Sequence, residues 1–303
     1  MGISISEYSW IDGKFVPGDQ AQVPITSHGM QYGTTAFEGI RAYWNGKNLH
    51  VFRLEDHLRR LERSCGHYSM SIAYSEKDLT DALLGMCKRN HTREDAYIRV
   101  TCFVGQYGLS LDMTGQAPTH AAMYMFPFRE YFGSKEISAC ISSWRKLSND
   151  TIPIQAKMAG NYLNSVVAMT DAKRRGFDEA ILLDMQGKVS EAATENVFVI
   201  RDNSLYTPPA SSSPLLGITR DTILVLCKEM GIKTHLIPLK PEDLYTADEI
   251  FLSGTASEIA SVIKLDETVI GGGASGPVTE RIKAEYYDAV LGSKHNEWLT
   301  AVY

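Results

Sequence analysis

The sequence predicts an α+β fold in two domains, on three observations. Its 303 residues suit about two domains of ~150 residues each. The first third mixes hairpins with amphipathic helices. Beyond about Pro127 the composition changes: FREYFGSKE (128–136) is polar and Gly-containing and reads as a connector, and mostly short β segments with interspersed helices follow. We therefore expect a small α/β domain over 1–126, an interdomain loop over 127–136, and a large domain, α+β or barrel-like, over 137–303.

In the first part, IDGKFV carries an Asp-Gly turn and IRAYWNGKNLHVF an Asn-Gly turn, each between alternating segments, which is the pattern of a hairpin. RLEDHLRRLERSC puts Leu54, Leu58, Leu61 and Cys65 on one helical face, with Glu55/Arg59 and Asp56/Arg60 spaced as i,i+4 ion pairs. SEKDLTDALLGMCKRN repeats the amphipathic pattern, and Ser75 can cap it. AYIRVTCFVG and THAAMYMFPF read as strands, so an antiparallel sheet with helices packed on it is expected. The second part predicts a long helix near Ala159 to Arg175, a hairpin at ILLDMQGKVSE, strand VFVI and turn RDNS. Helix ITRDTILVLCKEMG ending at a glycine, strands HLIPL and EIFLSG, and a terminal helix PVTERIKAEYYDAVLG complete it. The run GGGASG lacks the GK[ST] ending of a phosphate loop and reads as a turn before that last helix.

Composition excludes several classes. With 44% hydrophobic and 22% charged residues, the chain can bury a large core without metal or disulfide staples. A net charge of −6 argues against nucleic acid, a polyanion, as partner. Cys65, Cys87, Cys102, Cys140 and Cys227 are dispersed without a CxxC pair and are expected as reduced thiols in a cytoplasmic protein. MGISISEYSW has no basic segment followed by an apolar run, so no signal peptide is expected; its fit to the short myristoylation pattern is read as chance. No apolar run reaches the ~20 residues of a membrane span. The eight histidines form no HExxH or His/Cys cluster, so no metal is expected.

Three segments can carry chemistry. In IQAKMAGNYLNS, Lys157 has no acidic neighbour from Thr151 to Thr170. In a poorly solvated pocket such a lysine has a lowered pKa and attacks a carbonyl to form a Schiff base; a surface lysine at a helix start is the other reading, lysines being mostly exposed. SEAATEN (190–196) holds Glu191 and Glu195 between a hairpin turn and an apolar strand. It reads either as a solvated loop or as a carboxylate held against a ring nitrogen. LLGITRD (215–221) leads a glycine into a helix whose first turn carries Thr219, and SGTASE (253–258) ends a strand with a glycine and hydroxyls. Both can seat a phosphate. Arg53, at a strand-to-helix junction, can supply its cation or simply begin a surface helix.

Together these segments resemble the branched-chain amino acid aminotransferases, pyridoxal-phosphate enzymes of fold type IV. The resemblance rests on HGMQYGTTAFEGIRAY, VFRLEDHLRRL, AYIR, IPIQAKMAGNYLNS, SEAATENVFVI, LYTPP with LLGITRD, ADEIFLSGTASEI and GPVTERI, in the family's order over nearly the whole chain. It implies a smaller α/β sandwich domain and a larger pseudo-barrel domain, a pyridoxal 5'-phosphate cofactor, and a homodimer at least. It implies that Lys157 is the Schiff-base lysine and proton shuttle, that Tyr162 bonds the phenolic oxygen, and that Glu191 pairs with the ring nitrogen. Arg53, the backbone of Ile218, Thr219 and Thr255 would hold the phosphate. Tyr32, Phe37, Gly39, Tyr97, Tyr131 and Tyr162 would line the substrate pocket, Arg99 would pair with a carboxylate, and the amides at Thr255 and Ala256 would hold the α-carboxylate.

The implied reaction is ping-pong transamination between branched-chain L-amino acids and 2-oxoglutarate. Two departures bear on substrate range: YGLSLDMTG (107–115) replaces the family's GxNP-type loop, and Phe128 stands where a tryptophan is common. The alternatives are an (R)-selective amine or D-amino acid transaminase on the same fold, a relative of aminodeoxychorismate lyase, and a non-enzymatic binding protein on a decayed scaffold.

Overall fold

A computed structural model describes residues 5–114 and 117–303. Residues 1–4, which carry most of the MGISIS pattern, and Gly115, the end of the 107–115 loop, lie outside the described residues. The chain forms two compact units. One comprises Met1–Arg129, Ala156–Gly160 and Ala289–Tyr303; the other comprises Glu130–Gln155 and Asn161–Asp288. The units are not contiguous in sequence. The Lys157 segment and the C-terminus group with the N-terminal unit because they are hydrogen-bonded into it. Met158 bridges to Ala36, and the Phe37 N–H donates to the Lys157 carbonyl at 3.0 Å.

The first unit is built on an antiparallel sheet of β1 (Tyr8–Ile11), β2 (Lys14–Pro17), β3 (Thr35–Trp44), β4 (Leu49–Phe52), β5 (Ala96–Val104), β6 (Thr119–Pro127) and the C-terminal strand Leu299–Ala301. The spatial order runs from the C-terminal strand through β4, β3, β5, β6 and β1 to β2. The β1–β2 hairpin turns on Asp12 and Gly13, with φ of 44° and 84°, as a two-residue Asp-Gly turn requires. Helices α1 (His28–Tyr32), α2 (Leu54–Gly66) and α3 (Glu76–Arg89) complete the unit. Leu54, Leu58, Leu61 and Cys65 form the buried stripe of α2 and pack with Ile40, Ala42 and Val51 in one core. Each such buried aliphatic side chain contributes about 1.5–3 kcal/mol. Ser75 caps α3 in a capping box with Asp78.

One expected pairing differs. Arg59 meets Glu55 as spaced, but Asp56 pairs with Arg53, and Arg60 turns inward to Glu38. The helical period puts Arg60 on the sheet side of α2, where a buried carboxylate is a stronger partner than an exposed one.

The second unit carries β7 (Glu136–Arg145), α4 (Tyr162–Arg174), β8 (Glu179–Leu183), β9 (Val189–Ala192), β10 (Asn196–Arg201), β11 (Ser204–Thr207), α5 (Ile218–Glu229), β12 (Thr234–Leu236), α6 (Pro241–Tyr245), β13 (Glu249–Gly254), β14 (Glu258–Leu265), β15 (Thr268–Val269) and α7 (Pro277–Val290). Leu299–Ala301 is β16 in this order. The mixed sheet runs β12-β11-β10-β13-β14-β7-β8-β9, with β15 on β14. HLIPL is a strand only to Leu236, and β12 pairs β11 alone; Pro238, without an N–H, ends the edge strand. The long helix begins as a 3₁₀ turn at Ala159–Asn161 before α4. GGGASG is a turn, and Gly276 makes room for Glu249: a Cβ there would lie 2.1 Å from its Cδ. The Glu249 carboxylate accepts from the Val278 and Thr279 N–H groups at 3.0 and 2.8 Å, capping α7. Among the described residues no helix is long and apolar enough to cross a membrane.

Gly33 seats the Lys157 segment. Its φ is +71°, a Cβ on it would fall 2.9 Å from the Gly160 Cα, and its carbonyl accepts from the Gly160 N–H at 3.3 Å. Gly33→Ala should therefore lower the unfolding free energy by about 1–2 kcal/mol from the left-handed conformation alone. Urea titration reads this as a lower midpoint at unchanged slope; an unchanged midpoint would contradict it.

Candidate active site

In the first unit, Lys157 lies in an irregular segment that the sheet and α2 hold from two sides. Its carbonyl accepts from Phe37, and its N–H donates to the Ser64 hydroxyl at 2.9 Å. The residue keeps partial exposure, but protein surrounds its amine, which sits 5.1 Å from the Phe37 ring centre. That desolvation, with the Arg60 and Arg99 charges acting in the same direction and Glu38 and Tyr97 against it, lowers the amine pKa to about 8.

Behind the lysine is a buried ion cluster. Arg60 donates to Glu38 through Nε and Nη2 at 2.6 and 2.8 Å, and His57 Nδ1 lies 2.7 Å from the same carboxylate. Burial alone would raise the Glu38 carboxyl, but Arg60 and His57 together hold it well below the usual carboxylate range. Burial keeps His57 below its ordinary value despite Glu38. It is therefore a neutral ring donating Nδ1–H.

Beside the lysine are four of the expected pocket residues. A Cβ on Gly39 would lie 1.7 Å from the Tyr97 hydroxyl, so a glycine is required there. That hydroxyl accepts from Arg99 Nη2 at 3.4 Å, and the Arg99 guanidinium lies 4.5 Å from the Phe37 ring centre. Phe128 packs on Tyr97 with ring centres 5.5 Å apart and under Arg41 at 5.0 Å, so the departure from tryptophan keeps an aromatic contact. Tyr32 is exposed at the end of α1, with its ring against His28. Arg53 is engaged elsewhere: it pairs with Asp56 at 2.5 Å and lies 5.4 Å from the Trp298 ring centre.

In the second unit, Glu191 is buried on β9. Lys146 meets its Oε1 at 2.5 Å, and its Oε2 accepts from the Leu215 N–H at 2.9 Å and from Asn196 Nδ2 at 3.4 Å. Asn196 also donates to the Leu215 carbonyl and accepts from the Gly217 N–H at 3.2 Å. One amide thus ties the carboxylate to the N-cap of α5. A Cβ on Gly217 would lie 2.3 Å from Asn196 Oδ1. Ile218 and Thr219 are buried in the first turn of α5, where N–H groups lack intrahelical acceptors and the dipole favours an anion.

Thr255 and Ala256 form the β13–β14 turn with Gly254, on which a Cβ would lie 3.3 Å from Glu195 Cγ. Glu195 is no solvated loop acid: burial raises its carboxyl and that of Glu179 beside it. Tyr162 opens α4. Tyr131 is exposed and meets Phe132 edge-on at 4.8 Å.

Residue-by-residue reading of the sequence assigned no role in the site to Glu38, His57, Arg60, Ser64, Lys146 or Asn196. Glu38 lies inside FEGIR and Arg60 inside RLEDHLRRL. The available signal was the position of Arg60 on the apolar side of α2.

The amino-transferase class IV family matches residues 35–265. The branched-chain-amino-acid aminotransferase of Escherichia coli (strain K12) is 39% identical over 297 residues, covering 97% of this chain and 96% of that relative. The crystal structure of the branched-chain aminotransferase from Thermoproteus uzoniensis with norvaline has a TM-score of 0.95 at 39% identity, over 98% of this chain and 100% of that one. The branched-chain amino acid aminotransferase from Thermobaculum terrenum in its PLP form has a TM-score of 0.93 at 32% identity, over 99% of each chain. With matches of this length, the chain belongs to the class IV aminotransferase family, the fold type IV group of pyridoxal-phosphate enzymes that includes the branched-chain amino acid aminotransferases.

Proposed function

We propose that the protein transfers the amino group of L-leucine, L-isoleucine and L-valine to 2-oxoglutarate by a ping-pong route. The observation that carries this reading is the Lys157 amine, desolvated to a pKa of about 8 beside Phe37, Tyr97 and Arg99. Pyridoxal phosphate, when bound, supplies an aldehyde that joins amines and a protonated ring that takes up the electron pair left at the substrate Cα. The residues present suit that group: a poorly solvated amine, an anchored carboxylate, and a buried helix start with a hydroxyl.

Lys157 would be the residue that holds the coenzyme aldehyde, and its neutral amine, once free, would accept the substrate Cα proton and return it as the acid. Glu191, its oxygens fixed by Lys146, Leu215 and Asn196, keeps acceptor capacity for a ring N–H. Tyr162 would bond the phenolic oxygen, and Ile218, Thr219 and Thr255 would hold the phosphate. We assign its cation to Arg60 rather than Arg53, because Arg60 acts on Lys157 whereas Arg53 is bound to Asp56 and Trp298.

For the aliphatic side chain we assign Tyr32, Phe37, Gly39 and Tyr97 of the first unit, and Tyr131 and Tyr162 of the second. Arg99 takes the second carboxylate of glutamate, and the amides at Thr255 and Ala256 take the α-carboxylate. The naming of the relatives favours this reading over an (R)-selective amine or D-amino acid transaminase. Five buried, free cysteines fit a cytoplasmic location. Exposed Val23, Ile25, Met30, Leu109 and Leu111 in the first unit are apolar surface of the kind a homodimer covers.

Borohydride treatment after adding pyridoxal phosphate should leave its mass on Lys157. The rate of capture should rise about tenfold per pH unit below 8 and level off above, as the amine becomes neutral; label on another residue, or a flat profile, would sink the assignment. Glu191→Gln should cut kcat with L-leucine about 10²–10³-fold, the loss expected for one preorganised electrostatic partner, while Lys157 still takes the label. A Leu109→Asp/Leu111→Asp variant should elute as a monomer in light-scattering chromatography where the parent is a dimer.

A further inference from the structure

The mechanism uses Lys157 and the Arg60 cation and leaves Glu38, which binds that cation behind the lysine, and His57, which binds Glu38, without a role. Glu38, His57 and Arg60 are 0%, 1% and 6% exposed. Their geometry is closed: the two Glu38 oxygens accept two hydrogen bonds from Arg60 and one from His57. The cluster is also joined to the lysine's backbone. The Ser64 hydroxyl, one turn along α2, donates to the Arg60 carbonyl at 2.8 Å and accepts from the Lys157 N–H at 2.9 Å. Phe37, the residue before Glu38, donates its N–H to the Lys157 carbonyl. The elements that fix the charges therefore fix the lysine.

The charged and titratable groups acting on the amine are Arg60 and His57 from α2, Glu38 from β3, and Tyr97 and Arg99 from β5. Two are permanent cations. In a desolvated site they drive an amine toward its neutral form without limit from solvent. A group that both takes and returns a proton works best with its pKa near the operating pH, so an opposing charge is needed. Glu38 is that charge, and it cannot swing away, because Arg60 and a neutral His57 hold both oxygens. His57 fixes the carboxylate without adding a positive charge of its own.

We infer that Glu38, His57 and Arg60 form a buried charge-balancing set that sets the protonation of the Lys157 amine, with Glu38 and Arg60 acting in opposite directions and His57 positioning Glu38. Glu38 and His57 are positioning residues, Arg60 has this effect in addition to the phosphate contact assigned to it above, and the inference rests on the reading of Lys157 as the proton carrier.

The test is competitive labelling of Lys157 with trace acetic anhydride, read by peptide mass spectrometry. It uses the full-length chain freed of coenzyme, over about two pH units on each side of 8. Glu38→Gln should lower the labelling midpoint by about one pH unit, and Arg60→Gln should raise it by about one. The Glu38→Gln/Arg60→Gln double variant should return to within about half a unit of the parent, and His57→Gln, which keeps a neutral donor, should stay within the same range. Shifts of the same sign, or a double variant that fails to return, would overturn the inference, because loosened packing alone has no reason to give opposite signs. A larger shift in His57→Gln would remove His57 from the set.

Should one single variant fail to fold, the other single against the double still isolates the missing partner's charge. Borohydride mapping runs alongside. Coenzyme found on another residue defeats the transaminase reading, whereas coenzyme on Lys157 with unmoved midpoints defeats only this inference.

Discussion

The site depends on one constraint: an amine must leave water to become a usable base, and leaving water exposes it to every nearby charge at close range. Lys157 meets the first demand by docking against β3 and α2 and the second by lying beside charges of both signs. Desolvation is not selective. The hydrogen bonds that hold Arg60 to Glu38 therefore have to be as well made as those that hold the lysine. This is why so polar a cluster is tolerated at the centre of an apolar sheet: every charge in it has a fixed partner.

The second unit holds Glu191 with one cation, Lys146, and with neutral amide groups. Asn196 fixes the place and orientation of the Glu191 carboxylate through one amide. It donates to Glu191 and to the Leu215 carbonyl and accepts from the N–H that starts α5. Gly217 is the condition for that packing, since any side chain there would displace Asn196 Oδ1. The carboxylate and the anion-seeking helix end are thereby built as one piece.

Much of this was legible in the sequence. The Asp-Gly hairpin, the α2 stripe, the Ser75 cap and the α5 start all followed from local periodicity and turn chemistry, which need no distant partner. Lys157 stood out because its segment lacks acidic neighbours, and the family resemblance supplied its role. What stayed hidden depends on contacts between residues far apart in the chain. Arg60 looked like the surface partner of Asp56 because an i,i+4 spacing says nothing of Glu38, twenty-two positions away. Glu195 looked like a loop acid because no sequence pattern reveals Glu179 beside it. Neither β14 nor β16 was read as a strand, since each depends on a partner found only on folding.

The pairing of β16 with β4 has a consequence for how the protein is made. Residues 299–301 form the outermost strand against residues 50–52, so the first unit cannot close its sheet until residue 301 has emerged from the ribosome. Synthesis at about 5–20 residues per second leaves β4 as an unsealed margin for more than about ten seconds, open to strands of other nascent chains. The lysine-bearing segment, inserted from the middle of the chain, has to find its seat during the same interval.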